Sequence, residues 1–348
     1  MTDDTPPRST LAEIARATGL SVPTVSKVLN GRPGVSPASR RLVEETLHRR
    51  GYVRRRRRLD PGPRLIDLVQ SGLDGSWPAS VTSAVEAEAH EAGLHVVASV
   101  AREASRGARP RRDWVDTVVE RGTAGVIAGL VDLSDSHYAR LRRAGVPVVL
   151  LHPLRDPPAG VASVGANTWA GAYDATEHLI GLGHRRIGLV TGPKRQLSEQ
   201  ARIAGFGSAM AAAGLAVPDD CVRHGTYDRA SGRRLVASLL ELDRRRRPTA
   251  LLVCSDHMAI GGYEALAAAG LSVPDDVSVV GFDDLPEARW VAPALTTVRQ
   301  PLKDMGRAAV QLLVRLMAGE EVTSRRVEFA TSLVVRDSTA RARPARSR

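Results

Sequence analysis

Between Leu65 and Arg336, short runs rich in Val, Ile and Leu alternate with segments of helical period, and the series runs through twice. This alternation narrows the fold more than any other feature. Strands joined through helices pair in parallel, and a parallel sheet must be covered by helices on both faces. Residues 65–69, 95–100, 125–128 and 146–151 read as strands, and 79–92, 113–121 and 134–144 as helices. A second series begins near Ala170, with strands at 186–191, 250–254 and 278–282 between helices. Two series predict two lobes of open α/β sheet. Ligands of such sheets settle at the carboxyl ends of the strands, here in the cleft between lobes.

The residues ahead of this body read as an all-α head. Thr10 and Glu13 have capping-box spacing, in which a hydroxyl and a carboxylate satisfy helix N–H groups reciprocally, and Leu11, Ile14 and Ala15 recur at helical spacing. Gly19 supplies the positive φ of a tight turn. Ser21 caps a second helix over 22–29, with Pro23 in its first turn and Val25, Val28 and Leu29 as its buried stripe. Ser36 caps a third helix to about residue 50, with Leu42, Val43 and Leu47 facing inward.

Two short helices around a glycine-containing turn form a helix-turn-helix pattern, whose second helix enters the major groove of DNA. A small three-helix bundle with no DNA role would share the spacing. In the DNA-binding reading, Val22, Pro23, Thr24, Ser26 and Lys27 face the groove, with Thr10, Ser21 and Asn30 beside them. Lys27 can donate to guanine O6/N7 or a phosphate, the hydroxyls of Thr24 and Ser26 can anchor phosphates, and Val22 can touch a thymine methyl.

Charge supports the DNA reading through its distribution. Of the net +11, residues 1–64 carry 14 Lys and Arg against 6 Asp and Glu, a net +8. Residues 65–348 carry 35 against 32, and most of that excess lies after 336. A basic head on a nearly neutral body is the footprint of a nucleic-acid binder with a separate non-basic domain. Lysine occurs only at 27, 194 and 303, so the cations are almost all arginine. That bias explains which cation is used, not where it clusters.

The wording of the head is more specific than its spacing. Leu11-Ala-Glu-Ile-Ala-Arg16, the run Gly19-Leu-Ser-Val-Pro-Thr-Val-Ser-Lys-Val-Leu-Asn-Gly31, Val35-Ser36 and Arg50-Gly-Tyr52 resemble the LacI/GalR family of bacterial repressors. The resemblance continues in Leu182-Gly-His-Arg-Arg-Ile187, Val277-Ser-Val-Val-Gly-Phe-Asp-Asp284 and Leu295-Thr-Thr-Val-Arg-Gln-Pro301. It implies a helix-turn-helix head over 1–52, a linker over 53–64, a periplasmic-binding-protein-like core with parallel sheets over 65–336, and a basic tail over 337–348. The segments 161–166, 295–301 and 331–334 look like crossovers between the lobes.

One stretch departs from the family. Its members usually follow the Gly-Tyr with a short hinge helix whose leucine wedges into the minor groove. Here Val53 is followed by Arg54, Arg55, Arg56, Arg57 and Arg58, then Leu59, Asp60 and Pro61-Gly-Pro63. Adjacent like charges disfavour an isolated helix, and Pro-Gly-Pro would end one. The arginines are read either as binding phosphates and a narrow minor groove, or as a solvated linker.

The resemblance also implies a sensing site. Arg202 stands at the arginine that contacts ligand in family members, and its forked donors suit vicinal hydroxyls or a carboxylate. Asp283 matches the ligand-binding aspartate, and Tyr227 an aromatic position that stacks on the ligand. Trp77 would supply the first lobe's apolar wall, with Trp290 and Gln300 as further candidates. Ser255 stands where many members have asparagine, and His152 where many have aspartate, so the ligand chemistry should differ from the best-known effectors. Plainer roles exist: an ion pair for Arg202, a helix cap for Asp283, loop packing for Trp77. The Tyr/Trp and Arg/Asp mixture favours a carbohydrate effector over a purely apolar one. A corepressor-type regulator sensing a purine or other metabolite is the alternative.

Other classes are disfavoured. There is no G-x-S-x-G elbow, phosphate loop or G-x-G-x-x-G after the first strand, so no enzyme is expected. His184 reads as structural. No apolar run approaches the roughly 18–20 residues of a membrane span, and residues 1–9 lack the apolar stretch of a signal peptide. Cys221 and Cys254 imply no disulfide framework and fit a reducing cytoplasm. No Cys/His cluster has metal-ligand spacing, so neither metal nor other cofactor is expected. The partners expected are double-stranded operator DNA, a small-molecule effector and a second copy of the chain. No leucine heptads follow Arg336, which points to a dimer rather than a larger coiled-coil assembly.

Overall fold

The structure, a computed structural model, describes residues 11–29, 34–49, 64–101 and 113–343. Two compact units divide the chain, Met1–Gly62 and Pro63–Arg348. Thr10, Asn30, Arg54, Arg55 and Arg56, with the remaining linker arginines, lie outside the described residues.

The first unit contains helices α1 (Leu11–Thr18), α2 (Val22–Leu29) and α3 (Pro37–Arg49). Gly19 turns the chain after α1 at φ +66°. The hydroxyls of Ser21 and Ser36 accept from the backbone N–H of Thr24 and Ser39, at 3.3 and 3.1 Å, which fixes where α2 and α3 begin. Ile14, Ala15, Val25, Val28 and Val43 make the small core, with Leu20, Val35 and Leu47 against it. Leu42 does not face inward as the sequence predicts. It is 43% exposed, and buried Thr46 occupies that face instead. Thr46 returns its hydroxyl to the Leu42 carbonyl at 2.7 Å, so burying it leaves no polar atom unpaired.

In the second unit, the first lobe is built from β1 (Arg64–Gln70), α4 (Ser76–Glu91), β2 (Leu94–Val100), α5 (Trp114–Arg121), β3 (Gly125–Gly129), α6 (Asp135–Arg143), β4 (Val148–Leu151) and β5 (Ala162–Ala166). The second lobe follows with α7 (Thr168–Gly181), β6 (Ile187–Thr191), α8 (Leu197–Ala212), β7 (Val222–His224), α9 (Arg229–Leu240), β8 (Ala250–Val253), α10 (Asp256–Ala268), β9 (Ser278–Asp283) and β10 (Thr296–Arg299). Helix α11 (Leu302–Met317) leads to β11 (Arg326–Phe329), which joins the first sheet, and β12 (Ser332–Val334), which joins the second. The sheet orders are β11-β5-β4-β3-β1-β2 and β12-β10-β9-β8-β6-β7. Every pairing is parallel except that of β12 with β10.

The expected crossovers are themselves strands, and the chain changes lobe just after β5, after β10 and between β11 and β12. Two boundaries move for local reasons. Strand β4 starts at Val148, because Pro147 has no N–H for the ladder. Helix α4 starts at Ser76, which places Trp77 and Pro78 in its first turn, where a missing N–H goes unmissed.

Each sheet is covered on both faces. In the first lobe α4 and α11 pack one side, where Val81, Val85, Met305 and Leu313 are fully buried, and α5 and α6 cover the other. In the second, α7 and α8 bury Phe206, Met210 and Phe282, and α9 packs against α10. That last pair touches backbone to backbone. A Cβ on Gly261 would collide with the Arg229 carbonyl, and one on Gly232 with that of Met258. Gly261→Val is therefore expected to cost about 3 kcal/mol by overpacking, seen as a lowered urea midpoint. An unchanged midpoint would show that the helices can part at little cost.

Residues 337–343, grouped with the basic tail from sequence, lie against the second lobe. Ser338 is fully buried, donates to the Val279 carbonyl at 2.6 Å and accepts from the N–H of Thr296 at 2.7 Å. His184 is structural as read: its ring nitrogens meet the hydroxyls of Thr249 and Ser278, at 2.9 and 3.0 Å, and the Ala340 carbonyl at 3.1 Å.

Candidate functional site

A cavity of about 370 Å³ opens between the two lobes where strand ends converge. Gln70 comes from the end of β1, Leu130 and His152 from just past β3 and β4, and Trp77 from α4. The second lobe contributes Arg202 from α8, Tyr227 past β7, Ser255 past β8, Asp283 at the end of β9 and Gln300 past β10. Six of the seven sensing residues expected from sequence are thus brought together. Trp290 is not one of them: it is 74% exposed at the end of a short 3-10 turn, away from the cavity lining.

The backbone of this region is strained where the side chains must point inward. Leu130, His152, Tyr227 and Asp283 all have positive φ, at 53, 53, 66 and 118°, and Asp284 beside them has 53°. These are the non-glycine residues with positive φ among those described. Such conformations cost about 1–3 kcal/mol each and persist only where surrounding structure compels them. Four of the five line the interlobe cavity and the fifth, Asp284, follows Asp283 directly.

Arg202 is the electrostatic centre. Its Nη1 donates to Glu199 Oε1 at 2.6 Å and to the Cys254 carbonyl at 2.7 Å, and its guanidinium lies 4.0 Å from the Phe282 ring centroid. Glu199 Oε2 accepts the N–H of Gly192 at 2.7 Å. Burial works against the cation, but Glu199, Tyr227 and Asp283 outweigh it and raise its pKa above the ordinary arginine value. The ion pair read as the plainer role of Arg202 is therefore real, yet it leaves Nε buried with no partner.

Three further buried atoms around this cavity lack partners: Gln70 Oε1, His152 Nδ1 and Gln300 Oε1. The amide nitrogens of the two glutamines are engaged, Gln70 with Thr82 Oγ1 at 2.9 Å and Gln300 with Asp283 Oδ1 at 2.6 Å. Buried polar atoms left unpaired cost about 1–3 kcal/mol each. Four of them line one cavity, where a polar guest or water can bond to them.

The titratable groups set its charge. Burial pushes the Asp283 carboxyl up to about 7, against the opposing pull of Arg202 and the Gln300 amide. Burial, reinforced by the Arg202 charge, holds His152 down to about 3, so its ring is neutral. Tyr227 is also raised, by burial and by Glu199, and its hydroxyl donates to Gln196 Oε1 at 2.7 Å. Trp77 meets the His152 ring edge-on at 6.0 Å between centroids. Two aromatic side chains, one forked cation and several neutral acceptors thus surround the space.

Tyr227 keeps its place because Gly192 has no side chain. A Cβ there would fall on the phenol ring. Gly192→Ala should swing the ring aside and weaken effector binding about tenfold, checked by titration calorimetry. Wild-type affinity would mean that the ring makes no contact with the ligand.

The lobes also meet at the cleft itself, where Ser76 at the start of α4 donates to Glu287. His257 Nε2 lies 3.8 Å from the same carboxylate. The sequence marks His152 as a departure from the family that bears on the ligand, but it does not single out Gln70 or His257. Their position at strand carboxyl ends or a helix start was the available signal. Among the described residues, no group of three or more His, Cys, Asp or Glu gathers as a metal site would, and no helix is long and apolar enough to cross a membrane.

In the head, Val22, Pro23 and Lys27 are exposed and Thr24 and Ser26 half-exposed, on the side of α2 opposite buried Val25 and Val28. Ser21 and Thr24 share a 2.8 Å hydroxyl contact at the start of α2. The described DNA-contact candidates are therefore all exposed or half-exposed, around the N-terminal turn and one flank of a short helix.

A helix-turn-helix unit followed by a two-lobed core with a polar cleft defines a class: regulators that read DNA with one unit and bind a small molecule with the other. Residues 10–55 match the family described as bacterial regulatory proteins, lacI family, and residues 176–339 match the periplasmic binding protein-like domain. The chain is 35% identical over 348 residues to the HTH-type transcriptional regulator MalR of Streptomyces coelicolor, covering 97% of this chain and 98% of that one. It is 33% identical to the regulator CelR of Thermobifida fusca, covering 95% and 98%. Among solved structures, a transcriptional regulator CelR–cellobiose complex superposes with a TM-score of 0.72 at 32% identity, over 95% of this chain and 100% of that one. The lac repressor dimer bound to operator and an anti-inducer superposes at 0.69 with 27% identity, over 96% and 100%. The chain belongs to the LacI family and is a DNA-binding transcriptional regulator.

Proposed function

We propose that the protein is a repressor whose grip on operator DNA is controlled by a neutral carbohydrate held in the interlobe cleft. The observation that carries this reading is the set of four unpartnered buried polar atoms, on Gln70, His152, Arg202 and Gln300, around a cavity flanked by Trp77 and Tyr227. A sugar supplies hydroxyls for each of those atoms and a C–H face for the aromatic side chains. Arg202 is balanced by Glu199, and His152 is neutral, so the site has no surplus cation calling for an anionic ligand. The sugar-related names of MalR and CelR, and the cellobiose in the CelR complex, point the same way.

We place DNA contact on Ser21, Val22, Pro23, Thr24, Ser26 and Lys27, with Thr10, Asn30, Arg54, Arg55 and Arg56 adding contacts beyond the described residues. Two such heads in a homodimer would enter successive major grooves about one helical turn apart on a near-palindromic operator. The sugar acts by binding the closed cleft better than the open one, which rotates the first lobes of the dimer against each other. By linkage, DNA must then oppose the sugar by the same factor. The chain is read as acting by binding, without catalysis, at the chromosome in the cytoplasm.

The test is operator binding by fluorescence anisotropy, using DNA from around the protein's own gene at two salt concentrations, with a panel of sugars and purines. Sequence-selective binding relieved by one sugar is the expected result. Relief by a purine alone would replace the effector. Salt-sensitive binding without sequence preference, and no response to any compound, would overturn the repressor reading.

A further inference from the structure

Two bridges join the lobes apart from the crossover strands. At one, the Leu197 N–H of the second lobe donates to the Leu154 carbonyl of the first at 2.9 Å. At the other, the segment 285–287 of the second lobe reaches across to the first. Leu285, 2% exposed, is buried in the same apolar cluster as Val81, Leu302 and Met305. Two residues on, the Glu287 carboxylate accepts from the Ser76 hydroxyl at the start of α4. Neither Ser76 nor Glu287 lines the interlobe cavity.

Helix α4 needs a partner at this end. The first N–H groups of a helix have no acceptor within it, and Gly75, at the cap position, has no side chain to offer one. Gly75 sits at φ +95°, and a Cβ there would lie 3.3 Å from Cε1 of His257 in the second lobe. The glycine thus lets the lobes approach where a capping side chain would otherwise stand, and it leaves the helix with no cap of its own. His257 Nε2 lies 3.8 Å from the Glu287 carboxylate on the second-lobe side. A carboxylate delivered by that lobe takes the cap's place, and negative charge near a helix N-terminus is stabilising.

The contact carries its own opposing cost. Glu287 Oε2 is buried with no hydrogen-bond partner, and water reaching it on opening would relieve that cost. Closure forms the cap and strands Oε2, whereas opening gives up the cap and rehydrates Oε2. The two effects oppose, which leaves a contact weak enough for a ligand to tip.

We propose that Glu287 is a latch between the lobes: a positioning residue that caps α4 across the cleft and so sets the balance of closed and open forms without touching the effector. The proposal rests on the reading of the cleft as a switch that closes on its effector. It adds a residue that biases the switch before any effector arrives.

Interlobe distances in the ligand-free, full-length protein, measured by electron spin resonance, test it. Spin labels on Arg142→Cys and Ala211→Cys, both exposed positions, report on the two lobes, while Cys221 and Cys254 are buried. Diluting doubly labelled chains with unlabelled protein keeps the measured distance within one chain. Glu287→Ala should raise the ratio of open to closed forms about fivefold. Glu287→Gln, which keeps an acceptor for Ser76 without the charge, should raise it less. Ser76→Ala should also raise it, and adding that change to Glu287→Ala should raise it no further, because the pair acts as one contact. An unchanged ratio in Glu287→Ala would overturn the latch, and so would fully additive effects of the two substitutions. Operator binding by the same variants without effector separates this result from the function proposed above. On that reading the opened Glu287→Ala protein grips operator more tightly. A raised ratio with operator affinity unchanged would leave the latch standing and overturn the coupling of closure to DNA release.

Discussion

Replacing Arg202 with methionine is expected to destabilise the protein by about 3–5 kcal/mol and to abolish the effector response. The side chain is 3% exposed and Glu199 is fully buried beside it. Taking away the cation strands a carboxylate in the interior, and removing one partner of a buried pair costs far more than the pair contributes. Glu199 would keep only the Gly192 N–H as a bonded partner. A urea denaturation series measures the loss. Adding Glu199→Gln to the same chain should recover much of the stability, since a neutral amide can still accept from Gly192. It should not recover sugar binding, because the forked donor and its free Nε are gone. A single variant as stable as wild type would show that Glu199 is compensated by something other than Arg202.

The second large effect is a pH dependence that passes through Asp283. Its carboxyl is raised to about 7 in the folded chain, against an ordinary value near 3.9. Between about pH 4 and 7 the native state therefore keeps a proton that the unfolded state has released. Stability falls as pH rises through that window. Sugar hydroxyls donating to the carboxylate favour its ionised form, so effector affinity should rise as pH passes 7, with proton release on binding. Asp283→Asn should cost about 1.5–3 kcal/mol of binding, from loss of a charge-assisted hydrogen bond, and should flatten the profile. Asp256, buried behind it and also raised, is bonded to Thr297 Oγ1 and the Leu285 N–H, at 2.6 and 2.8 Å, so its proton is not the one a ligand reaches. Calorimetry at pH 6 and 8 in two buffers decides the matter. A slope that persists in the asparagine variant would assign the proton to another group.

Much of this architecture is legible in the chain because its signals are local. Hydrophobic period, Gly19 at a turn, and Ser21 and Ser36 as caps act within a few residues of themselves, and the helices and strands fall close to where those signals place them. The misplacements are local conflicts settled by neighbours. Thr46 took the inward position read for Leu42 because its hydroxyl could be returned to its own helix. Helix α4 began early because proline is tolerated in a first turn. The sensing residues were legible for another reason: family wording around Arg202, Tyr227 and Asp283 marks them whatever their contacts. Trp290 had no such wording, only an aromatic ring near a strand end, and it proved to be exposed.

The sequence by itself determined that this protein has a basic helix-turn-helix head and two parallel α/β lobes, because period, caps and charge clustering are properties of neighbouring residues. Only the tertiary structure decided which side chains share a cavity. Gln70, His152, Arg202 and Gln300 come from widely separated parts of the chain, and nothing local to any of them foretells that its spare polar atom will be left unpaired. That follows from long-range burial: the sheets bring strand ends together, packing removes water, and an atom's want of a partner exists only once the rest has closed around it.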